Sequence, residues 1–434
     1  MSDIHAEMLI CFFCLILPRK QLYYILFLNS EPFEKGIEMS SELSFVLITP
    51  YSLMKSRTGG ILARLLSRTD LELVGAQMLT PSLDLVRSYA DSIRKYVGRR
   101  DEFAARLFSD YMLDNFSPLL TGECERVLML LFRGENACEK LSAVVGPIPH
   151  AKNRRTPVYG ETIRDTYADL VFNRDGSLNY FEPAVFTPPE KDACEARLDV
   201  LADFAGSCPN IVENAADLNR DQKTERTLVI IKPENWRCPS TRPGNVIDLL
   251  SKTGLHIVGC KICQMSVSEA LEFYHPVKEQ LRRKLAPRFA ARALEKLSEE
   301  FNVKFSSDAL NALTGSIGRD CADDQFSRII EFMSGRRPED CPENELDQPG
   351  LAKCMALVYE GHDAVRKIRD VLGPTDPSHA PGGTIRRDFG HDVMVNAVHA
   401  SDSSESFLRE TGIVKIDRNP MASIIREYLA SKKQ

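Results

Sequence analysis

Phe45–Pro50 reads FVLITP, and Leu228–Pro233 reads LVIIKP. Each is a short apolar run, rich in β-branched residues and closed by proline, which is the pattern of a buried strand. Working outward, each run leads to a helical stretch, GILARLLS at Gly60–Ser67 and GNVIDLLSK at Gly244–Lys252. A second apolar run follows in both places, LELVGAQML at Leu71–Leu79 and LHIVGCKICQM at Leu255–Met265. Serines then stand where helix N-caps are expected, Ser82 before LDLVRSY and Ser266 and Ser268 before EALEFY. The echo continues with VLMLLFRGENACEKL (Val127–Leu141) against CMALVYEGHDAVRKI (Cys354–Ile368), and with GETIRD (Gly160–Asp165) against GTIRRD (Gly383–Asp388).

A repeat of this length describes two successive β-α-β-β-α-β units. The expected fold class is α+β: two tandem ferredoxin-like domains with antiparallel sheets covered by helices. The expected boundaries are an N-terminal extension over 1–38, a first unit over 39–207, a polar connection over 208–224 and a second unit over 225–434. The second unit carries an insertion at about 278–350, with helical stretches at Gln280–Glu299 and Ser307–Ala312 and a polar loop at Gly335–Gly350.

The chain has 434 residues, 43% of them hydrophobic, and a formal net charge of −6. A mildly acidic chain lacks the basic face of a nucleic-acid binder, so any polyanionic substrate must be held by a local cluster of Arg and Lys. Two CxxC pairs occur, Cys11/Cys14 and Cys260/Cys263, both in apolar runs and neither with a second pair at zinc-site spacing. They read as buried free thiols of a reduced, cytoplasmic protein. In the extension, the apolar runs Met8–Leu17 and Leu22–Leu28 are shorter than the roughly 18 to 20 residues that span a bilayer. Positive residues follow the first run instead of preceding it, unlike a signal peptide, so no membrane partner is expected. Met39, just before SSELSF, is an alternative start.

Chemistry concentrates in the second unit. Lys232 ends its first strand; Arg366, Lys367 and Arg369 share a helix; Thr375 lies in the turn GPTDP; and Arg386 follows a Pro-Gly-Gly turn. Asn396 and His399 share VNAVH, followed by Ser401, Asp402 and Ser403, with Glu405 and Glu410 on the helix beyond. A nucleoside triphosphate needs guanidiniums, hydroxyl donors and Mg²⁺ around its charge. The sequence has neither a GxxxxGK[ST] loop nor the glycine-rich, HRD and DFG set of protein kinases. Histidine suits the task of phosphate nucleophile: one ring nitrogen attacks while a carboxylate holds the other.

VNAVHASDSSES (Val395–Ser406) and LGPTDPSHAPGGTIRRDFG (Leu372–Gly390) resemble the active-site signature and nucleotide-binding stretch of nucleoside diphosphate kinases, with the family's spacings from Arg369 to His399. The resemblance covers roughly Glu225–Tyr274 and Met355–Gly412. It implies that His399 is the phosphorylated nucleophile, with Glu410 on its other ring nitrogen and Ser401 in support. It implies that Lys232, Arg369, Thr375 and Arg386 clamp the phosphates. Lys232 and Asn396 would reach the ribose hydroxyl, and Tyr274 would stand close to the site. It further implies ping-pong transfer from ATP to nucleoside diphosphates, Mg²⁺ carried by the nucleotide phosphates, and a homo-oligomer, with the first unit packing on the second.

The sequence departs from the family in places. Ala400 stands where the family has glycine, which is tolerable at negative φ, and Tyr359 replaces a tryptophan. The insertion falls where the family has a helical hairpin roofing the base; in gapless register Gln325 takes the stacking place with Phe326 as its neighbour, Phe289 is another candidate, and the residue is left unassigned. In the first unit Thr49 replaces the lysine, Ser142 falls at the first arginine, only Arg164 survives, and VFNRDGSLNYFEPAVF (Val171–Phe186) has no histidine. That unit reads as a degenerate copy kept for structure. A second reading of the whole, a nucleotide-binding regulatory or scaffold protein with little turnover, stays open at this point.

Overall fold

The computed structural model describes residues 41–148, 160–215 and 224–432. The apolar runs of the extension, Cys11/Cys14 and part of the 208–224 connection lie outside the described residues.

Strands β1 (Glu42–Ile48), β2 (Glu72–Leu79), β3 (Val127–Gly134), the short hairpin β4 (Asp169–Phe172) and β5 (Leu178–Glu182), and β6 (Val185–Phe186) belong to the first half. The second half contributes β7 (Glu225–Ile231), β8 (His256–Cys263), β9 (Cys354–Gly361) and β10 (Val398–Ala400). One sheet runs β2-β3-β1-β6 and the other β8-β9-β7-β10, antiparallel throughout. The two orders are the same, and both are the split β-α-β-β-α-β arrangement read from the repeat. Even the irregularities match: β2 is bulged between Leu73 and Gly75, β8 between Ile257 and Gly259. β1, β7 and β9 are buried almost throughout, which explains why their sequences are continuous apolar runs without alternation.

The predicted caps form. Ser82 Oγ accepts from Leu85 N–H at 3.2 Å and opens the helix Leu83–Val97. Ser266 and Glu269 form a capping box at the start of Val267–Phe301. The second half's insertion is a helical hairpin. Its outgoing arm is the far end of the 35-residue helix Val267–Phe301, and its return arm is Ser307–Leu313, a π turn and Arg319–Ser334. Arg282 grips Asp323 with two hydrogen bonds of 2.7 Å between the arms, the bidentate geometry favoured by a guanidinium and a carboxylate.

The two halves close into one compact unit over Glu42–Gln434. At the joint the helices Thr58–Arg68 and Arg242–Ser251 cross at glycine. A Cβ on Gly59 would meet Gly244 O at 2.5 Å, and a Cβ on Gly244 would meet Gly59 O at 2.4 Å. Such reciprocity is the signature of an approximate two-fold axis. Asn419 fastens the bulged strands beside it, donating from Nδ2 to Ala76 O at 2.8 Å and Cys260 O at 3.2 Å. Leu62, Leu65, Val246 and Leu250 share one core across the joint.

Two elements fall outside the sequence reading. The hairpin β4–β5 is an addition to the first half. The last helix, Met421–Ser431, which the reading kept with 225–434, packs on the first half: Met421 and Ile425 sit in a core with Leu201, Ala202 and Ala205. An amphipathic pattern says that a helix has an apolar face, and leaves open which half of a pseudo-symmetric molecule covers it. Among the described residues no helix is long and apolar enough to cross a membrane, and the described cysteines are free thiols.

Candidate functional site

His399 projects from the middle of β10, opposite Ile230 of β7. Its Nε2 lies 2.9 Å from Glu410 Oε2. Ser401 Oγ donates to the same oxygen at 2.7 Å, and Arg409 Nη2 donates to Glu410 Oε1 at 3.2 Å. Glu410 comes from the helix Ser404–Ile413, which is N-capped by Ser403 accepting from Ser406 N–H. A carboxylate on Nε2 fixes the ring's orientation and keeps the proton there. Nδ1 is left with no protein hydrogen-bond partner among the described residues. The ring rests edge-on against Phe273 at 4.9 Å and Tyr274 at 6.3 Å between centroids. The side chain of His399 is 22% exposed and that of Glu410 only 5%, so the carboxylate is sealed behind the imidazole. Ala400 has no positive φ, as its replacement of glycine requires.

Cations surround the exposed ring face. Lys232 Nζ donates to Asn396 Oδ1 at 2.8 Å and Met394 O at 3.0 Å. Burial lowers its pKa to about 8, with Glu234 opposing the shift and Arg386 adding to it. Asn396 Nδ2 in turn donates to Thr375 O and Val393 O, tying the segment that carries His399 to two neighbouring turns. Arg386 donates to Gly373 O at 2.8 Å and Val398 O at 3.3 Å. Burial, then Arg369, lowers its pKa to about 10. Arg369 and Thr375 are exposed at the rim.

Lys232, Tyr274, Arg369, Thr375, Arg386, Asn396, His399 and Glu410 all line one cleft of about 800 Å³. Ser401 lies behind it, fully buried. The set named from sequence is therefore brought together in space. Arg366 is turned away into ion pairs with Asp363 and Asp370. His362, His379 and His391 are exposed beside aspartates. Among the lining residues not read from sequence are Arg409, Phe332 and Val393, the last 58% exposed at the mouth. Neither Gln325, Phe326 nor Phe289 lines the cleft; Phe326 is buried within the hairpin, and Ile329, Phe332 and Met333 form the roof instead. Among the described residues no group of His, Cys, Asp or Glu forms a metal cage.

The first half has the same frame with different side chains at the corresponding positions. Phe186 pairs with Leu47, two residues before Thr49, as His399 pairs with Ile230, two residues before Lys232. Phe186 thus stands at the register position of His399. Tyr89, Phe108, Tyr111 and Phe116 pack around it at 5.3 to 6.3 Å. Arg197, eleven residues beyond Phe186 as Glu410 is beyond His399, is buried on Tyr89. Arg164 donates to Gly146 O at 2.6 Å and Val185 O at 3.3 Å, the same bonds that Arg386 makes to Gly373 and Val398. Its survival in the first half is explained by this backbone role. The signal was available in sequence: PAVF (Pro183–Phe186) is the counterpart of NAVH (Asn396–His399).

Residues 346–416 match the family model described as nucleoside diphosphate kinase. The nucleoside diphosphate kinase of Nitratiruptor is 27% identical over 186 residues, covering 43% of this chain and 91% of the relative. That of Helicobacter pylori strain P12 is 29% identical over 182 residues, covering 42% and 88%. Among solved structures, the Aquifex aeolicus nucleoside diphosphate kinase is similar to 44% of this chain over 95% of its own length, with 25% identity and a TM-score of 0.28. The matched part of this chain is thus similar to nucleoside diphosphate kinases.

Proposed function

We propose that the protein is a nucleoside diphosphate kinase working by ping-pong transfer through a phosphohistidine at His399. The observation that carries this reading is the single imidazole whose Nε2 is held by Glu410 at 2.9 Å while Nδ1 opens into a cleft lined by Lys232, Arg369 and Arg386. Nδ1 attacks the γ-phosphorus of ATP, the bond from phosphorus to the β–γ bridging oxygen breaks, and ADP leaves. A terminal oxygen of a nucleoside diphosphate then attacks the same phosphorus, the P–N bond breaks, and the triphosphate departs. Glu410 supports the positive charge that develops on the ring in the first step. The cations hold the spread charge of the transferring group, and positioning supplies much of the rate in such reactions.

Mg²⁺ would arrive on the nucleotide and neutralise charge across its phosphates. The donors fit a metal brought in with its own ligands: Glu410 has both oxygens engaged, and Asp402, bonded to Ser406 at 2.6 Å on the cleft wall, is the carboxylate free to face it. Phe332 and Val393 offer apolar faces to the base, a contact that is tolerant of base identity. In the first half, the aromatic packing around Phe186 replaces a nucleotide site, and we read that half as a copy that takes the place of a partner subunit. Free thiols suit a reduced, cytoplasmic setting.

Incubation with γ-labelled ATP tests the proposal. An acid-labile, base-stable label should appear, vanish in His399→Gln, and pass to a mixture of nucleoside diphosphates. Absence of label on the unaltered protein would sink it and favour a nucleotide-binding scaffold.

A further inference from the structure

The segment that aims His399 is strained. Ala397 has a φ of +70°, and Val398 N–H donates back to Asn396 O at 2.9 Å. Together these define a classic γ-turn, which is rare and unfavourable for a residue with a Cβ. Ala397 O is held by Lys232 N–H at 3.0 Å and by Asn235 Nδ2 at 2.9 Å. Ala397 N–H donates to Glu234 Oε1 at 2.7 Å.

The first half makes the same turn. Ala184 has a φ of +65°, Val185 N–H donates to Pro183 O at 2.8 Å, and Thr49 N–H donates to Ala184 O at 3.2 Å. Here too the alanine N–H goes to a carboxylate, Glu182 Oε1 at 2.9 Å. Yet Glu182 belongs to β5, just before the alanine, while Glu234 follows β7 on the other side of the ladder. In the first half the place of Glu234 is taken by Tyr51. Two carboxylates from unrelated chain positions thus satisfy one N–H, which marks a requirement of the turn. Glu234 also carries a cost that only a purpose offsets: its Oε2 is buried without a hydrogen bond.

We propose that Glu234 is a positioning residue for the phosphoryl-transfer nucleophile: it holds Ala397 in the γ-turn and so sets the direction in which His399 Nδ1 faces the cleft. This rests on the phosphohistidine reading. Glu234 acts through the backbone of the turn, since its bonded oxygen is engaged by Ala397.

Glycine adopts positive φ without penalty, which gives a specific rescue. Glu234→Ala should slow labelling of His399 by γ-labelled ATP on the order of 10- to 100-fold, with the KM for ATP changed less than about twofold. Glu234→Gln, which keeps an oxygen acceptor, should recover most of the rate, and Glu234→Ala combined with Ala397→Gly should recover much of it. In parallel, the ¹⁵N imidazole signals of His399, measured without nucleotide, should move in Glu234→Ala and return in the double variant. Wild-type rate and wild-type imidazole signals in a folded Glu234→Ala protein would overturn the inference, as would failure of Ala397→Gly to restore either. If Glu234→Ala does not fold, Ala397→Gly in the natural background decides: unchanged imidazole signals support the inference, and signals displaced by glycine alone overturn it. Movement and rescue of the signals in a protein that never takes label would leave the turn's role standing while sinking the kinase reading.

Discussion

At the scale of the residue, the site is a set of side chains each restrained by a second. Glu410 orients His399, Arg409 holds the other oxygen of Glu410, and Asn396 holds Lys232. Glu410→Gln keeps the shape and loses the charge, so the labelling rate should fall by about 10- to 100-fold, with nucleotide affinity in equilibrium dialysis nearly unchanged. Lys232 supplies a pH dependence. Burial brings its folded pKa from 10.5 to about 8, so the charged form is disfavoured in the folded protein. The unfolded chain holds that proton up to its ordinary pKa. The resulting penalty on stability is therefore full below pH 8 and relieved as pH rises from about 8 toward 10.5. On the proposed function, phosphate affinity should run the other way, because only the ammonium form would attract the triphosphate. The KM for ATP should climb as pH passes about 8, and a flat profile to pH 9.5 would show that bound nucleotide does not depend on this charge.

At the scale of the element, the hairpin decides how the cleft is roofed. Its return arm passes so close to the outgoing one that a Cβ on Gly318 would meet Ala286 O at 2.3 Å. Gly318→Ala should push the arms apart and cost about 1–3 kcal/mol in thermal unfolding. Because Ile329, Phe332 and Met333 on that arm line the cleft, the same change should raise KM for nucleotide more than it lowers kcat. The sequence made the two arms legible through their helical period. The expected stretch Gln280–Glu299 already ran through Pro287, but the sequence did not show one helix running unbroken from Val267 past Pro276 to Phe301, where the Arg282–Asp323 grip and the packing of the return arm outweigh the local penalty of proline.

At the scale of the whole molecule, the two halves meet as a symmetric pair made from one chain. The glycine crossing leaves no room for a side chain, so Gly244→Leu should lower the unfolding midpoint well beyond a surface change and loosen both halves together. Since this self-complementary face is covered internally, sedimentation of the full chain should show no dimer built through it. A smaller species than an ordinary assembly of separate subunits is expected, and an assembly like that of single-unit relatives would count against the substitution of a partner by the first half. The last helix ties the ends of the chain. Truncation after Pro420 should remove Met421 and Ile425 from the first half's core, each burial being worth about 1.5–3 kcal/mol. Hydrogen exchange should then show β2 and the helix Lys191–Ser207 losing protection before β7 and β9.

The sequence alone determined the tandem sheets and the His399 set, because both obey local rules. Buried strands need apolar runs closed by turn residues, and phosphate chemistry needs particular donors at fixed separations along the chain. It also contained PAVF against NAVH, a likeness too short to weigh without the common register in which β6 pairs with β1 and β10 with β7. Only the tertiary structure decided that Phe186 stands at the register position of His399, that Arg164 persists to hold two carbonyls, and that Glu234, after β7, and Glu182, at the end of β5, reach equivalent turns in the two halves. These are relations between residues far apart in the chain, set by register and packing. Neither composition nor spacing along a single strand carries that information.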